Sequence, residues 1–309
     1  MDSAEVPHDD TPWIYSHLMD SDMKEGLTAP AHDAAWYERE YGWGLENANT
    51  SALLASWSAR AEVTRSENEC ILDIPTGNHP REALDLFRAR DAKGTVLFIH
   101  GGFWRTSSKN DMAWIADGFL HIGYSVVFLN YPLCPEASLR EVSESVQASF
   151  ARLVTEILSD AESGAIVIVG HSAGAYLATS LMATVWNQHG LETSPIRGVV
   201  AISGLFELEP LLHTSHNRSL RLDKQLALQL SLTSFSPAVD ASLILVVGEL
   251  ETAELHRQSH IMAHAWSTLR PRIVSIKGED HYGIVEGLAR TGSELHRIVL
   301  TSMAATPGV

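Results

Sequence analysis

A serine, a late histidine and a group of carboxylates lie in this chain in the order that acyl-transfer chemistry can use. Ser172 is the centre of Gly170-His171-Ser172-Ala173-Gly174. A serine hydroxyl becomes a nucleophile when a neighbouring base takes its proton and a third group orients that base. The chain has 15 histidines, and His281 stands out by position. It follows the β-branched run Arg272-Ile273-Val274-Ser275-Ile276 and the turn Lys277-Gly278-Glu279-Asp280. The orienting acid is expected between serine and histidine, on the loop after Leu243-Ile244-Leu245-Val246-Val247. Glu249, Glu251 and Glu254 compete there, and the loop has no aspartate.

A tetrahedral intermediate also needs backbone N–H groups brought close to its oxyanion, and side chains would crowd that approach. His100-Gly101-Gly102-Phe103-Trp104 offers such a loop. The expected donors are the N–H groups of Gly102 and Ala173, with Gly101 or Phe103 beside them. His256, His260 and His264 recur every fourth residue, but no carboxylate completes a ligand set, so a solvated helix face is expected there. No metal or organic cofactor is implied.

These residues need elements to hold them. Ala165-Ile166-Val167-Ile168-Val169 reads as a buried strand before Ser172, and Ala175-Tyr176-Leu177-Ala178 as the start of a helix after it. A serine at a sharp strand-to-helix turn is the nucleophile elbow of an α/β-hydrolase. Further strands are expected at about 69–74, 83–88, 95–99, 125–131 and 198–203, with helices from Asp111, Ser138 and Ala173. A last helix is expected to open at Gly283. This alternation predicts an α/β fold with a mostly parallel central sheet and helices on both faces. Residues 205–238 are leucine-rich without a strand pattern, which predicts a small helical cap over the site; His213, Thr214 and Asn217 lie in it.

Residues 1–68 read as a separate N-terminal segment. A polar arm over 1–35 carries Trp13 and Tyr15 as possible anchors, and a helical stretch over 36–68 carries Trp36, Trp43 and Trp57. Those three tryptophans are expected to pack on the main body, either in its core or over the mouth of the site. Residues 69–309 form the hydrolase domain with the cap inserted at about 205–238.

The chain's 309 residues are 45% hydrophobic, enough for a large core, and 38 acidic side chains against 22 basic ones give a net charge of −16. That balance disfavours nucleic acid and anionic membrane surfaces as partners. Two cysteines, Cys70 and Cys134, make no disulfide framework. The acidic, polar N-terminus is unlike a signal peptide, and no apolar run approaches the length of a membrane span, so a cytoplasmic location is expected. A homodimer is left open.

Over roughly residues 70–290 the chain resembles the kynurenine formamidases (arylformamidases), a branch near the esterases and lipases. The resemblance rests on Ala83-Leu84-Asp85-Leu86-Phe87, on the HGG-aromatic-Trp loop with Lys109 following, and on Asn130-Tyr131-Pro132-Leu133-Cys134-Pro135. It also rests on the elbow, on Ser203-Gly204-Leu205-Phe206-Glu207-Leu208-Glu209-Pro210 and on Glu254-Leu255-His256-Arg257-Gln258-Ser259. It implies Ser172 as nucleophile, His281 as base and Glu251 as acid. That acid is usually aspartate in the family, which keeps Glu249 a rival. A second departure is Ser231-Leu232-Thr233-Ser234-Phe235, where a Ser-Pro pair is common. The implied activity is cleavage of a small aryl formamide. The alternatives are a carboxylesterase for small acyl or aryl esters and a non-catalytic ligand-binding protein. A formyl group needs little acyl space, so an aromatic leaving-group pocket is expected. Phe103, Trp104, Tyr131 and Tyr282 are its candidate lining, or else ordinary packing beside the loop.

Overall fold

The computed structural model describes residues 32–42 and 48–304. The expected arm with Trp13 and Tyr15 lies almost wholly outside the described residues, as does Trp43. Helices of eight residues or more are numbered here: α1 Ala34–Gly42, α2 Ala48–Glu67, α3 Leu139–Arg152, α4 Ala173–Ser180, α5 Ala253–Ala265 and α6 Glu294–Ala304. The strands are β1 Cys70–Pro75, β2 Ala83–Phe87, β3 Thr95–Ile99, β4 Ser125–Leu129, β5 Ile166–His171, β6 Ile196–Ile202, β7 Ser242–Gly248 and β8 Arg272–Ile276.

All eight strands make one sheet in the order β1-β2-β4-β3-β5-β6-β7-β8. β1 and β2 are antiparallel to their neighbours, and every pairing from β4 to β8 is parallel. Strands covered on both faces read as continuous apolar runs, which is why β3, β4 and β5 are legible as such. Their alternate side chains feed two cores. Leu97, Ile99, Ile166 and Ile168 pack on one face with α3, α4 and α5. Val96, Phe98, Val167 and Val169 pack on the other with α2 and α6. The expected mostly parallel sheet with helices on both faces is the observed architecture.

Local chemistry sets the helix starts. Ser138 and Glu141 form a reciprocal capping box that satisfies two otherwise unpaired N–H groups at the head of α3. Between β6 and β7 come short helical segments at Glu209–His213, Asn217–Leu220, Lys224–Leu230 and Leu232–Ser234. Leu205, Phe206, Leu208 and Leu211 of this cap are fully buried against the body.

Two expected helices take another form. Residues after Lys109 make three 3₁₀ segments, Lys109–Asp111, Ala113–Gly118 and Leu120–Ile122, and the segment at Gly283–Leu288 is also 3₁₀, with α6 beginning later. The two meet at Gly118, where any Cβ would collide with the carbonyl of Leu288. Trp114, Ile115 and Ala116 are buried together there. A segment buried on all sides has no polar face to mark a helical period, so its exact form was not readable.

The two described tryptophans of the N-terminal segment part company. Trp36 packs with the first core and Trp57 with the second. Trp57 lies 5.5 Å from Trp114, and its indole N–H donates to Glu286 at 2.6 Å.

Candidate active site

The elbow at Ser172 is built by strain and close approach. Ser172 has φ 55° and ψ −121°, a conformation that costs an L-residue roughly 1–3 kcal/mol. Gly170 and Gly174 make the turn possible: a Cβ at Gly170 would strike the Gly174 carbonyl, and one at Gly174 the Ile99 carbonyl. The Ser172 N–H donates to the Ile202 carbonyl at 2.8 Å, tying the elbow to β6. The residue sits at the head of α4, where the helix N-terminus favours developing negative charge.

His171, the residue before, braces the opposite loop. Its Nε2–H donates to the His281 carbonyl oxygen at 2.8 Å. Burial, then the neighbouring His281, bring its pKa down to about 3, so the ring is neutral and a fixed donor.

His281 and Glu251 are brought together. The His281 Nδ1–H donates to Glu251 Oε2 at 2.9 Å, with both side chains buried. That tautomer leaves the lone pair on Nε2. The other carboxylate oxygen, Oε1, accepts from Ser203 Oγ at 2.5 Å and from the Gly248 N–H at 2.8 Å. Burial pushes the Glu251 carboxyl up, but His281, Ser203 and Gly248 outweigh it and hold it below the ordinary carboxylate range. The rivals are engaged elsewhere. Glu249 is exposed and accepts from the Gly278 N–H at 2.8 Å. Glu254, in the first turn of α5, accepts from Tyr41 at 2.6 Å and pairs with Arg257 at 2.8 Å.

The glycine loop faces the elbow. A Cβ at Gly101 would lie 3.0 Å from Ser172 Cβ, so this residue runs directly alongside the serine. Gly102 has φ 100°, which an L side chain rarely adopts. Phe103 and Trp104 follow at φ 52° and 54°, two consecutive left-handed non-glycine residues. Tyr131 holds the loop from below: its hydroxyl donates to the His100 carbonyl at 2.8 Å and approaches the Gly101 carbonyl at 3.2 Å. His100 stacks on the Tyr131 ring at 4.4 Å, and burial lowers its pKa to about 4.

Of the four aromatic residues expected in a leaving-group pocket, two do other work. Tyr131 and Trp104 are fully buried. Tyr131 is the loop's support, and Trp104 packs edge-on against Tyr176 at 5.4 Å. Phe103 stacks on His216 of the cap at 3.7 Å, and Tyr282 sits edge-on to His281 at 5.1 Å. Ser203 and His171 were missed as site residues. A signal existed for Ser203: like Ser172 it directly follows an apolar strand, with a glycine close behind; in the structure it too has a positive φ, 54°. Among the described residues no group of three or more potential ligands could hold a metal, and the three histidines of α5 form none.

Comparisons with known proteins bear on the fold and the family. The kynurenine formamidase of Danio rerio is 26% identical over 288 residues, 90% of this chain and 95% of that protein. That of Salmo salar is 26% identical over 253 residues, 78% of this chain and 85% of its own length. A candidate thioesterase of known structure from Silicibacter sp. is 27% identical, with a TM-score of 0.77 over 85% of this chain and 98% of that one. Esterase B from Lactobacillus rhamnosis, 18% identical with a TM-score of 0.60 over 84% of this chain and 96% of that one, shares the fold. A family profile described as the alpha/beta hydrolase fold matches residues 96–282, from β3 through the glycine loop, the elbow and the loop after β7 to the residue after His281. With more than half of the chain inside that profile, the protein belongs to the alpha/beta hydrolase fold family.

Proposed function

We propose that this chain is a serine hydrolase that cleaves the formamide bond of a small aryl substrate resembling N-formylkynurenine. The relatives named kynurenine formamidase support the reaction class. The observation that carries the mechanism is the strained Ser172, directly after a His171 whose ring lies 4.7 Å from the His281 ring, together with the His281 Nδ1–H committed to Glu251 at 2.9 Å. Such a histidine presents Nε2 as a base, and its carboxylate stabilises the imidazolium that forms.

In the first step His281 Nε2 takes the Ser172 proton as Oγ attacks the formyl carbon. The N–H groups of Gly102 and Ala173, with Gly101 alongside, receive the oxyanion. Removing one such donor typically costs about 10²–10³ in rate. His281 then gives its proton to the departing aryl nitrogen, the C–N bond breaks, and a formyl-serine remains. In the second step water, deprotonated by His281 Nε2, attacks the formyl carbon; the bond to Ser172 Oγ breaks, Oγ takes the proton back from His281, and formate leaves. The reaction needs no group beyond the chain's own residues and water. Within the N-terminal segment, helices α1 and α2 act as a unit docked on the hydrolase domain that begins at residue 69. A cytoplasmic site of action is consistent with two free cysteines, and among the described residues no helix is long and apolar enough to cross a membrane.

The second reading, a carboxylesterase for small acyl or aryl esters, is favoured by the esterases that share the fold. It uses the same residues. A ligand-binding protein on a retired hydrolase fold fits poorly with a serine and histidine both in place. Steady-state kinetics of wild type and Ser172→Ala on N-formylkynurenine and p-nitrophenyl acetate separate the three. Turnover of the formamide at kcat/KM near ~10⁴ M⁻¹s⁻¹ or above, abolished in the variant, is expected. Ester turnover alone selects the esterase. No turnover of either selects the binding protein.

A further inference from the structure

Arg105 follows Trp104 in the oxyanion loop and is half-buried. It makes no ion pair among the described residues. Arg60 and Arg257, also half-buried, each hold a carboxylate, Glu286 and Glu207 with Glu254. Arg81 gives its donors to the carbonyls of Tyr131 and Ser107. Arg105 has one neutral partner: its Nη2–H donates to His216 Nδ1 at 2.9 Å. Its Nε–H is buried with no acceptor, and so is the indole N–H of Trp104 beside it. Only three buried side-chain polar atoms among the described residues lack a partner, and these two are on consecutive residues of one loop.

An unpaired donor out of water costs free energy, and a guanidinium cannot shed its proton to escape the cost. A buried cation therefore calls for an anion. Among the described residues no carboxylate is paired with it, although the net charge of the whole sequence is −16. Glu38 of α1, close to the cap at this point, is engaged by the Ser215 N–H and hydroxyl.

The surroundings place this cation where the glycine loop meets the cap. His216, its cap partner, stacks on Phe103 at 3.7 Å with 20° between the rings. Phe103 directly follows Gly102, a proposed oxyanion donor. Burial, then the Arg105 charge, lowers the His216 pKa, so the imidazole accepts from Arg105 rather than repelling it. A neutral imidazole is a weak substitute for a carboxylate, whose charge-assisted, two-pronged bonds to guanidinium are roughly twice as strong as neutral ones.

We propose that Arg105 is a specificity-determining residue that binds a carboxylate on the leaving-group half of the substrate. The assignment to that half rests on the formamidase reading, because a formyl group carries no further substituent. The site then selects anionic aryl formamides over neutral ones of the same ring.

The test is kcat/KM for 2-formamidobenzoate and for formanilide in wild type, Arg105→Gln and Arg105→Lys. Wild type is expected to prefer the carboxylate. In Arg105→Gln the ratio of the two substrates falls by roughly 10- to 100-fold, chiefly through KM for the anionic one. Arg105→Lys keeps part of the preference, since it retains the charge but not the fork. Stoichiometric labelling of Ser172 by an organophosphate checks that each variant is folded. An unaltered ratio in Arg105→Gln, or equal losses on both substrates, overturns the proposal. If wild type cleaves neither formamide, the formamidase reading fails. The same comparison on 2-acetoxybenzoate and phenyl acetate then reads Arg105 on its own, by the same ratio and with the same overturning results.

Discussion

Ser203 Oγ donates to Glu251 Oε1 at 2.5 Å, on the oxygen that His281 leaves free. The carboxylate is thereby held at both ends, with the Gly248 N–H as a third donor. A glutamate has one more rotatable bond than the aspartate usual in related enzymes, and this clamp removes the freedom that bond would add. Ser203 sits fully buried at the end of β6 in a left-handed conformation.

Removing the Ser203 hydroxyl therefore loosens the acid without touching substrate. Ser203→Gly is the cleaner variant, because glycine accepts φ 54°. A lost hydrogen bond to a charged group corresponds to roughly 10- to 100-fold in kcat/KM. The fall is expected in kcat rather than KM, together with a shift in the pH profile of kcat/KM. Loss of thermal stability with an unshifted profile would mean that Ser203 only packs the strand end.

The assignment of the acid can be tested against its rivals. Glu251→Gln is expected to lower kcat by about 10³–10⁴, since the amide can hold His281 in the wrong tautomer. Glu249→Gln loses only its bond to the Gly278 N–H and should stay within a few-fold of wild type. Glu254→Gln breaks the buried contacts with Tyr41 and Arg257 and should appear in the melting temperature first. An ordering in which Glu249→Gln is the dead variant would sink the assignment.

These carboxylates show how far the sequence could be read. The elbow, the glycine loop and His281 were legible because each is a short local pattern set against an apolar strand, and backbone geometry demands those residue types. Which glutamate faces His281 was not legible, because three candidates within six residues differ only in where the loop after β7 turns them. Ser203 lies 48 residues before Glu251, so no local spacing links them. From sequence alone Tyr131 and Trp104 fit either pocket lining or ordinary packing, because an aromatic next to the glycine loop looks the same from either side. Contacts with distant residues decide the matter, His100 over Tyr131 and Tyr176 against Trp104, and no local pattern shows them. The 3₁₀ segments around Gly118 and Leu288 were hidden for a related reason, since their form depends on a contact between distant parts of the chain.

Acid should destabilise the fold well before its carboxylates are all protonated. His100 and His171 have folded pKa values of about 4 and about 3, against an ordinary 6.5, with burial the main cause in each. Between pH ~6.5 and ~4 the unfolded chain binds protons that these folded imidazoles refuse, so stability falls with pH, by up to about 1.4 kcal/mol per unit for each group. Glu251, whose folded pKa is lowered, adds its own loss below about pH 4.5. Thermal unfolding from pH 7.5 to 4.5 should show this slope. His171→Gln should be less stable at neutral pH but visibly flatter, and an identical slope would remove His171 as its source.

The strain at Ser172 predicts a gain in stability from destroying activity. The residue is held at φ 55° and ψ −121° in the wild-type turn, and glycine enters that region without a Cβ penalty. Ser172→Gly should unfold at a higher temperature than wild type, the stabilisation approaching about 1–3 kcal/mol less the entropy that glycine gains in the unfolded chain. Ser172→Ala keeps the Cβ, and with it most of the strain, so it should melt close to wild type. Both variants should be inactive towards formamide and ester alike. Calorimetry on the three proteins at one pH decides it: a glycine variant no more stable than the alanine variant would show that the elbow is relaxed, its geometry enforced by the Gly170–Gly174 contact alone.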